Sequence, residues 1–231
     1  MRYSIVLLCL AFLPAAAMAA DQAAKQDQDS PKGPVTIKQL AAKADYIGLL
    51  QVDDTNYETM RGIPSKGHAE LKTLVTYRHP GIGRVPPGKV EVYEEGFGDE
   101  KCYYPQRRNE GRRYLAFLKK RQGKDGYTGS RPGCMLPVYV TRDNSYALRY
   151  PVPGLEIPDK SVIKKIQFAD PDAYVKAGDQ LSYARTDSLV DQDLLEQTDD
   201  GDYYYTHGIY LRDLRPAIEA EMKPEKTRSL P

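Results

Sequence analysis

From residue 34 to residue 150 the apolar positions recur with a helical period only at the start, and afterwards with the period of two that marks strands. Ile37, Leu40, Ala41 and Ala44 repeat at helical spacing. Thr36-Ile37-Lys38-Gln39 ahead of them has the form of a capping box, in which the Thr hydroxyl and the Gln side chain satisfy each other's backbone amides. A helix ending near residue 44 is predicted. Residues 46–52 are an apolar run with little polar alternation, as a strand buried on both faces requires. Residues 68–79 alternate Ala69, Leu71, Thr73, Val75 and Tyr77 against a wetter set that includes Glu70, Lys72 and Arg78. Pro80-Gly81 and Pro86-Pro87-Gly88 interrupt the pattern before 89–94, where Val90 and Val92 alternate with Glu91 and Tyr93. Segments 113–119, 135–141 and 146–150 complete six predicted strands, with Asp143-Asn144 as the turn between the last two.

The pattern changes after Tyr150. Pro151, Pro153 and Pro158 suit a connector rather than a strand. Residues 161–168 fit either a strand or a short helix, 187–197 a weak acidic helix, and 203–210 an aromatic strand. A last helix is predicted from Asp213 as cap to Met222, with Pro216 tolerated in its first turn. The expected fold class is mainly β with minor α: a small OB-like closed barrel of five to six strands with a leading helix over 34–150, followed by a mixed α+β acidic extension over 151–231.

The first nineteen residues read as a secretory signal peptide. Arg2 supplies the positive start, residues 5–13 the apolar run, and Ala17-Met18-Ala19 a small-x-small cleavage site. The run is shorter than the roughly 20 residues that span a bilayer, and charges interrupt every later apolar stretch, so no transmembrane segment is expected. Cys9 follows Leu8 inside the run, which is not the setting of a lipoprotein cysteine, and it is expected to be discarded with the peptide. Residues 20–33 are polar, without large apolar side chains, and read as a flexible leader. The expected location is periplasmic or secreted. There the two remaining cysteines, Cys102 and Cys134, are expected to form a disulfide closing a loop of about 33 residues, worth roughly 3–4 kcal/mol.

The formal net charge of +1 conceals an uneven distribution. Residues 34–150 carry 20 Lys and Arg against 13 Asp and Glu; residues 151–231 carry 10 against 16. Opposite charge in two halves permits docking of the acidic tail on the basic core, or attraction of two different partners. An exported location argues against nucleic acid as one of them.

Candidate chemistry is sparse. No Gly-x-Ser-x-Gly elbow is present, and His68, His79 and His207 are isolated, outside any H-E-x-x-H or H-x-H arrangement. The acidic run Asp187, Asp191, Asp193, Glu196, Asp199, Asp200 and Asp202 aligns poorly with a calcium loop, because His207 falls where the bidentate carboxylate belongs, and it reads as solvated surface. No cofactor or metal is implied. Tyr103-Tyr104 and Tyr203-Tyr204-Tyr205 read as packing residues rather than a sugar platform. Two arginine pairs, Arg107-Arg108 and Arg112-Arg113, flank Asn109-Glu110-Gly111. Forked guanidinium groups suit carboxylate or phosphate partners. These four residues fit a solvated turn, a docking face for the acidic segment, or a contact with an anionic ligand.

One ordered series of segments resembles the netrin-like module shared by the tissue inhibitors of metalloproteinases and their bacterial relatives. It comprises Ala44-Asp45 before the run 46–52, the strand ending Leu74-Val75-Thr76-Tyr77-Arg78, the strand Val90-Glu91-Val92-Tyr93, then Cys102, and Glu110-Gly111-Arg112-Arg113-Tyr114-Leu115-Ala116-Phe117-Leu118. The resemblance covers about residues 36–150 and implies an OB-like barrel. The zinc-chelating N-terminal cysteine of the animal inhibitors has no counterpart near Ala20-Asp21, so protease inhibition does not carry over. The expected function is a non-enzymatic binding or interaction module, with an envelope protein or an anionic ligand as partner and Arg107, Arg108, Arg112 and Arg113 as contacts. The alternative is a periplasmic hydrolase whose residues converge only in the fold, with His68 or His79 as base.

Overall fold

The computed structural model describes residues 34–81, 87–95, 110–129, 133–178 and 181–220. In chain order the strands begin with β1 (Val35–Thr36), β2 (Tyr46–Met60), β3 (Ile63–Arg78), β4 (Lys89–Glu95), β5 (Arg113–Lys120), β6 (Tyr127–Thr128) and β7 (Met135–Val140). They continue with β8 (Tyr146–Arg149), β9 (Leu155–Glu156), β10 (Lys164–Lys165), β11 (Tyr174–Val175), β12 (Leu195–Gln197), β13 (Tyr203–Tyr205) and β14 (His207–Tyr210). The helices are α1 (Ile37–Lys43), α2 (Tyr183–Val190) and α3 (Leu211–Glu219). The protein is mainly β. The predicted signal peptide and leader, and the downstream end of the last predicted helix, lie outside the described residues.

The capping box forms as its residue types require. Thr36 Oγ1 accepts from the Gln39 amide at 3.2 Å, and Gln39 Oε1 accepts from the Thr36 amide at 2.8 Å. At the other end of α1, Arg78 from β3 donates to the carbonyls of Ala41 and Ala44 at 2.5 and 2.8 Å, joining the Ala44 amide on the Ala41 carbonyl.

Among the described residues nine strands form one sheet, in the order β10-β14-β8-β7-β5-β2-β3-β4-β6. β2 and β5 run at its centre, and over residues 46–52 and 114–118 both of their faces are buried. Ile47, Leu49, Leu115 and Phe117 pack toward α1 and α3, with Leu136, Val138, Leu148, Ile209, Leu211, Leu214 and Ile218. The alternate residues Tyr46, Leu50, Val52, Tyr114, Ala116 and Leu118 pack with Ala69, Leu71, Val90, Val92 and Cys134. This is why the run 46–52 lacks polar alternation. Short β6 pairs with both β4 and β5, so the path of pairings β5–β2–β3–β4–β6 returns to β5.

The β2–β3 hairpin is longer than the sequence pattern predicts, which placed strands only at 46–52 and 68–79. Its distal half, residues 53–67, is polar and mostly exposed on both faces, so no period of two marks it. Backbone pairing extends it to Met60 opposite Ile63. The two linking residues, Arg61 and Gly62, have φ of 53° and 78°, the left-handed pair that a tight two-residue hairpin needs. Gly67 is required for a different reason. Its φ is 138°, and a Cβ there would lie 2.2 Å from the Asn56 carbonyl oxygen of the facing strand.

Residues beyond 150 enter the same sheet and the same core. β14 pairs antiparallel with β8, and β10 with β14. The pair β1–β9 is parallel and ties the start of the described chain to residue 155. A three-stranded sheet, β11-β13-β12, lies over a third core of Tyr139, Ala147, Ile166, Phe168, Ala173, Val175, Leu189, Leu195 and Tyr205.

Three predicted elements are corrected here. The helix expected at 187–197 is Tyr183–Val190 instead, because Ser182 caps it by accepting from the Arg185 amide. Leu195 then reaches the third core as part of strand β12. The aromatic run 203–210 is two strands in different sheets, divided at Thr206. α3 starts at Leu211 without a side-chain cap, so Pro216 lies inside the helix rather than in its first turn. Burial of Leu211, Leu214 and Ile218 on one face sustains the helix despite the proline.

A candidate arginine-lined binding site

β5 begins where Gly111, with φ of 79°, turns the chain into the sheet. The entry is fixed against β2: the Gly111 amide donates to the Val52 carbonyl at 2.8 Å, and the Val52 amide to the Arg112 carbonyl at 2.9 Å. Gln51 Nε2 also donates to the Gly111 carbonyl at 2.8 Å. Arg112 and Arg113 are thereby set at the end of a central strand. A cavity of about 660 Å³ opens there, lined by residues 110–114, residues 137–139, Arg149, Asp170 and Asp172. Three guanidinium groups and three carboxylates, those of Glu110, Asp170 and Asp172, line it.

Both aspartates belong to the C-terminal acidic segment. Arg112 Nη2 donates to Asp172 Oδ1 at 2.7 Å, and Arg113 Nη1 lies 3.8 Å from Asp170 Oδ2. The turn that carries them is a single 3-10 turn, Pro171–Ala173, capped by Asp170, whose Oδ1 accepts from the Asp172 amide. Arg149 holds the same turn by its backbone, donating to the carbonyls of Asp172 and Ala173 at 3.4 and 3.3 Å. Its guanidinium lies against two rings, 4.5 Å from the centre of Tyr139 and 4.7 Å from that of Tyr205.

The electrostatics follow from partial burial. Desolvation alone would favour the neutral form of Arg112; the hydrogen bond and charge of Asp172 outweigh it and hold the group charged. Burial pushes the Tyr139 hydroxyl up to about 12, against a weaker opposing pull from Arg149. It also raises Tyr114 and Tyr205. At neutral pH these phenols stay protonated and can donate. Arg112 Nε is buried without an acceptor among the described residues, so this guanidinium is engaged by its neighbour through one edge nitrogen only.

Of the four arginines singled out in the sequence, the fold places Arg112 and Arg113 on this cavity; Arg107 and Arg108 lie outside the described residues. So do Tyr103, Tyr104 and Cys102, the expected partner of Cys134. Cys134 itself is buried in the second core. Arg149, Tyr139, Asp170 and Asp172 are cavity residues that the sequence reading missed. The one available signal was Arg149, a charge at the end of a strand whose neighbours Ala147 and Leu148 are both fully buried.

The histidines keep other company. His68 stacks on Tyr93 at 5.0 Å. His79 meets the Tyr46 ring edge-on at 6.3 Å and accepts from the Gly81 amide. His207 Nδ1 is 2.8 Å from Thr206 Oγ1. A hydrolytic centre built on His68 or His79 needs a carboxylate and a nucleophile against the ring; among the described residues the two rings meet Tyr93, Tyr46 and the Gly81 amide. Among the described residues no group of His, Cys, Asp or Glu is arranged to hold a metal ion, and no helix is long and apolar enough to cross a membrane. Of the tyrosine triple, Tyr205 is buried in the third core and Tyr203 packs against it, while Tyr204 is only partly buried, 6.2 Å from the exposed Tyr174.

No protein-family profile, curated protein or solved structure matches this chain.

Proposed function

We propose that the chain is a secreted or periplasmic, non-enzymatic binding module of OB-like and netrin-like build, and that its contact site is the cavity at Arg112 and Arg113. The observation that carries the reading is the convergence of Arg112, Arg113 and Arg149 on one cavity beside two protonated tyrosines. Forked donors held on a central strand suit recognition of an anionic group on a small ligand or on an envelope protein. The closed path of strand pairings supports the barrel assignment. OB-type surfaces bind across their middle strands and the connecting loops. A disulfide between Cys102 and Cys134 is part of the proposal, as is removal of residues 1–19 on export.

The test is charge reversal of Arg107, Arg108, Arg112 and Arg113 in a tagged chain crosslinked inside its own cells, with a thermal melt to establish folding. A partner captured by the native chain and lost by the folded variant is the expected result. A partner retained by the variant overturns the site assignment.

A further inference from the structure

We infer that the cavity takes a carboxylate, and that the ligand binds by displacing the Asp172 side chain from Arg112. The inference rests on the binding-module reading and names the chemistry of that same site.

The position a ligand anion would take on Arg112 is already filled by an anion of the chain itself. Asp172 Oδ1 sits 2.7 Å from Nη2, while Nε is left buried without an acceptor. A guanidinium binds a carboxylate best through two parallel N–H bonds, and a buried donor left unpaired costs free energy. The resident contact is therefore a partial one, and a carboxylate approaching side-on to Nε and Nη2 would complete the pair. The resident pair is also weakly held. Arg112 is 39% exposed and Asp172 44%, the regime in which ion pairs contribute little net stability.

The charge of the site selects against a dianion. Among the described lining residues Glu110, Asp170 and Asp172 offset the three arginines, so a phosphate would bring a second negative charge to a lining near balance. The turn bearing Asp172 does not depend on that side chain. Its cap is Asp170, and its carbonyls are held by Arg149.

The experiment is titration of the full chain with benzoate, with benzamide as the neutral isostere and inorganic phosphate as the dianion, followed by calorimetry and by the Arg112 Nε–H resonance. The variants are Asp172→Asn, which keeps the shape and removes the competing charge, and Arg112→Gln. Benzoate is expected to bind Asp172→Asn about fivefold more tightly than the native chain, with a downfield shift of Nε–H. Benzamide is expected not to bind, and Arg112→Gln to abolish binding. Equal benzoate affinity in the native chain and Asp172→Asn, at equal thermal stability, overturns the displacement while leaving the site in place. Tighter binding of phosphate than benzoate overturns the ligand class. No binding of either anion to any variant removes the anion site itself, and with it the reading on which this one rests.

Discussion

The Arg149 guanidinium carbon lies 4.5 Å from the centre of the Tyr139 ring, so a cation from β8 rests on the face of a ring from the neighbouring strand β7. The same guanidinium lies 4.7 Å from the centre of the Tyr205 ring and donates to two carbonyls of the turn bearing Asp170 and Asp172. One side chain thus fastens the third core and the turn that closes on Arg112. Replacing it by alanine removes two cation–π contacts and leaves two carbonyls without their donor. A loss of about 2 kcal/mol is expected. Arg149→Lys should recover less than half of that, because a compact ammonium lacks the planar fork that reaches both rings and both carbonyls at once. Urea unfolding followed by circular dichroism measures both.

Tyr139 also ties stability to alkaline pH. Its folded pKa of about 12 lies above the ordinary value of 10.0, so the folded state keeps a proton that the unfolded chain releases. The stabilisation is fully present below pH 10 and is lost as pH rises through about 12. A rise of that size corresponds to about 2–3 kcal/mol. Tyr114 and Tyr205 shift in the same direction through burial. Stability is expected to be flat through neutral pH on account of these groups and to fall steeply above pH 10. Tyr139→Phe should reduce the slope. Tyrosinate absorbance recorded alongside denaturant midpoints across that range is the check.

Removal of everything after Tyr150 is expected to leave a chain that does not fold. Ile209, Leu211, Leu214 and Ile218 are each at most 4% exposed and share the core of Ile47, Leu49 and Leu115. Losing side chains worth about 1.5–3 kcal/mol apiece would consume most of the stability of a typical domain. A truncated chain with dispersed amide resonances and a cooperative melt would contradict this and make residues 34–150 an independent unit.

The proposed disulfide has a direct consequence. In the absence of reductant the chain of residues 20–231 should show no titratable thiol until denatured and reduced. Reduction should lower stability by roughly 3–4 kcal/mol, the entropy of a loop of about 33 residues. A free Cys134 thiol in the denatured, unreduced protein would refute the pairing.

Much of the mainly β framework was legible because its signals are local. The capping box at Thr36 and Gln39 depends on four consecutive residues. The two-sided burial of β2 follows from the unbroken apolar run 46–52. The turn at residues 141–145 is closed by Thr141, Asp143 and Ser145 within one short segment. What was not legible depends on partners distant in sequence. The outer hairpin has polar residues on both faces and exists through backbone pairing, so it carries no hydrophobic period. α3 begins at Leu211 because of which face the core buries, while Asp213 offered the better local cap. Arg112 and Arg113 stood out as a pair, but their neighbours Asp170 and Asp172 lie about sixty residues further on. Nothing near those aspartates distinguishes them from the rest of an acidic segment. Arg149 alone hinted at the cavity, as a charge adjoining fully buried neighbours on a strand.

The measurement that bears most directly on the central claim is amide chemical-shift mapping of the full mature chain as benzoate is added. The account predicts shifts concentrated at residues 110–114, 137–139, 149 and 170–173, all lost in Arg112→Glu/Arg113→Glu at unchanged thermal stability. Shifts confined to other surfaces, or the same shifts persisting in the charge-reversed chain, would contradict it.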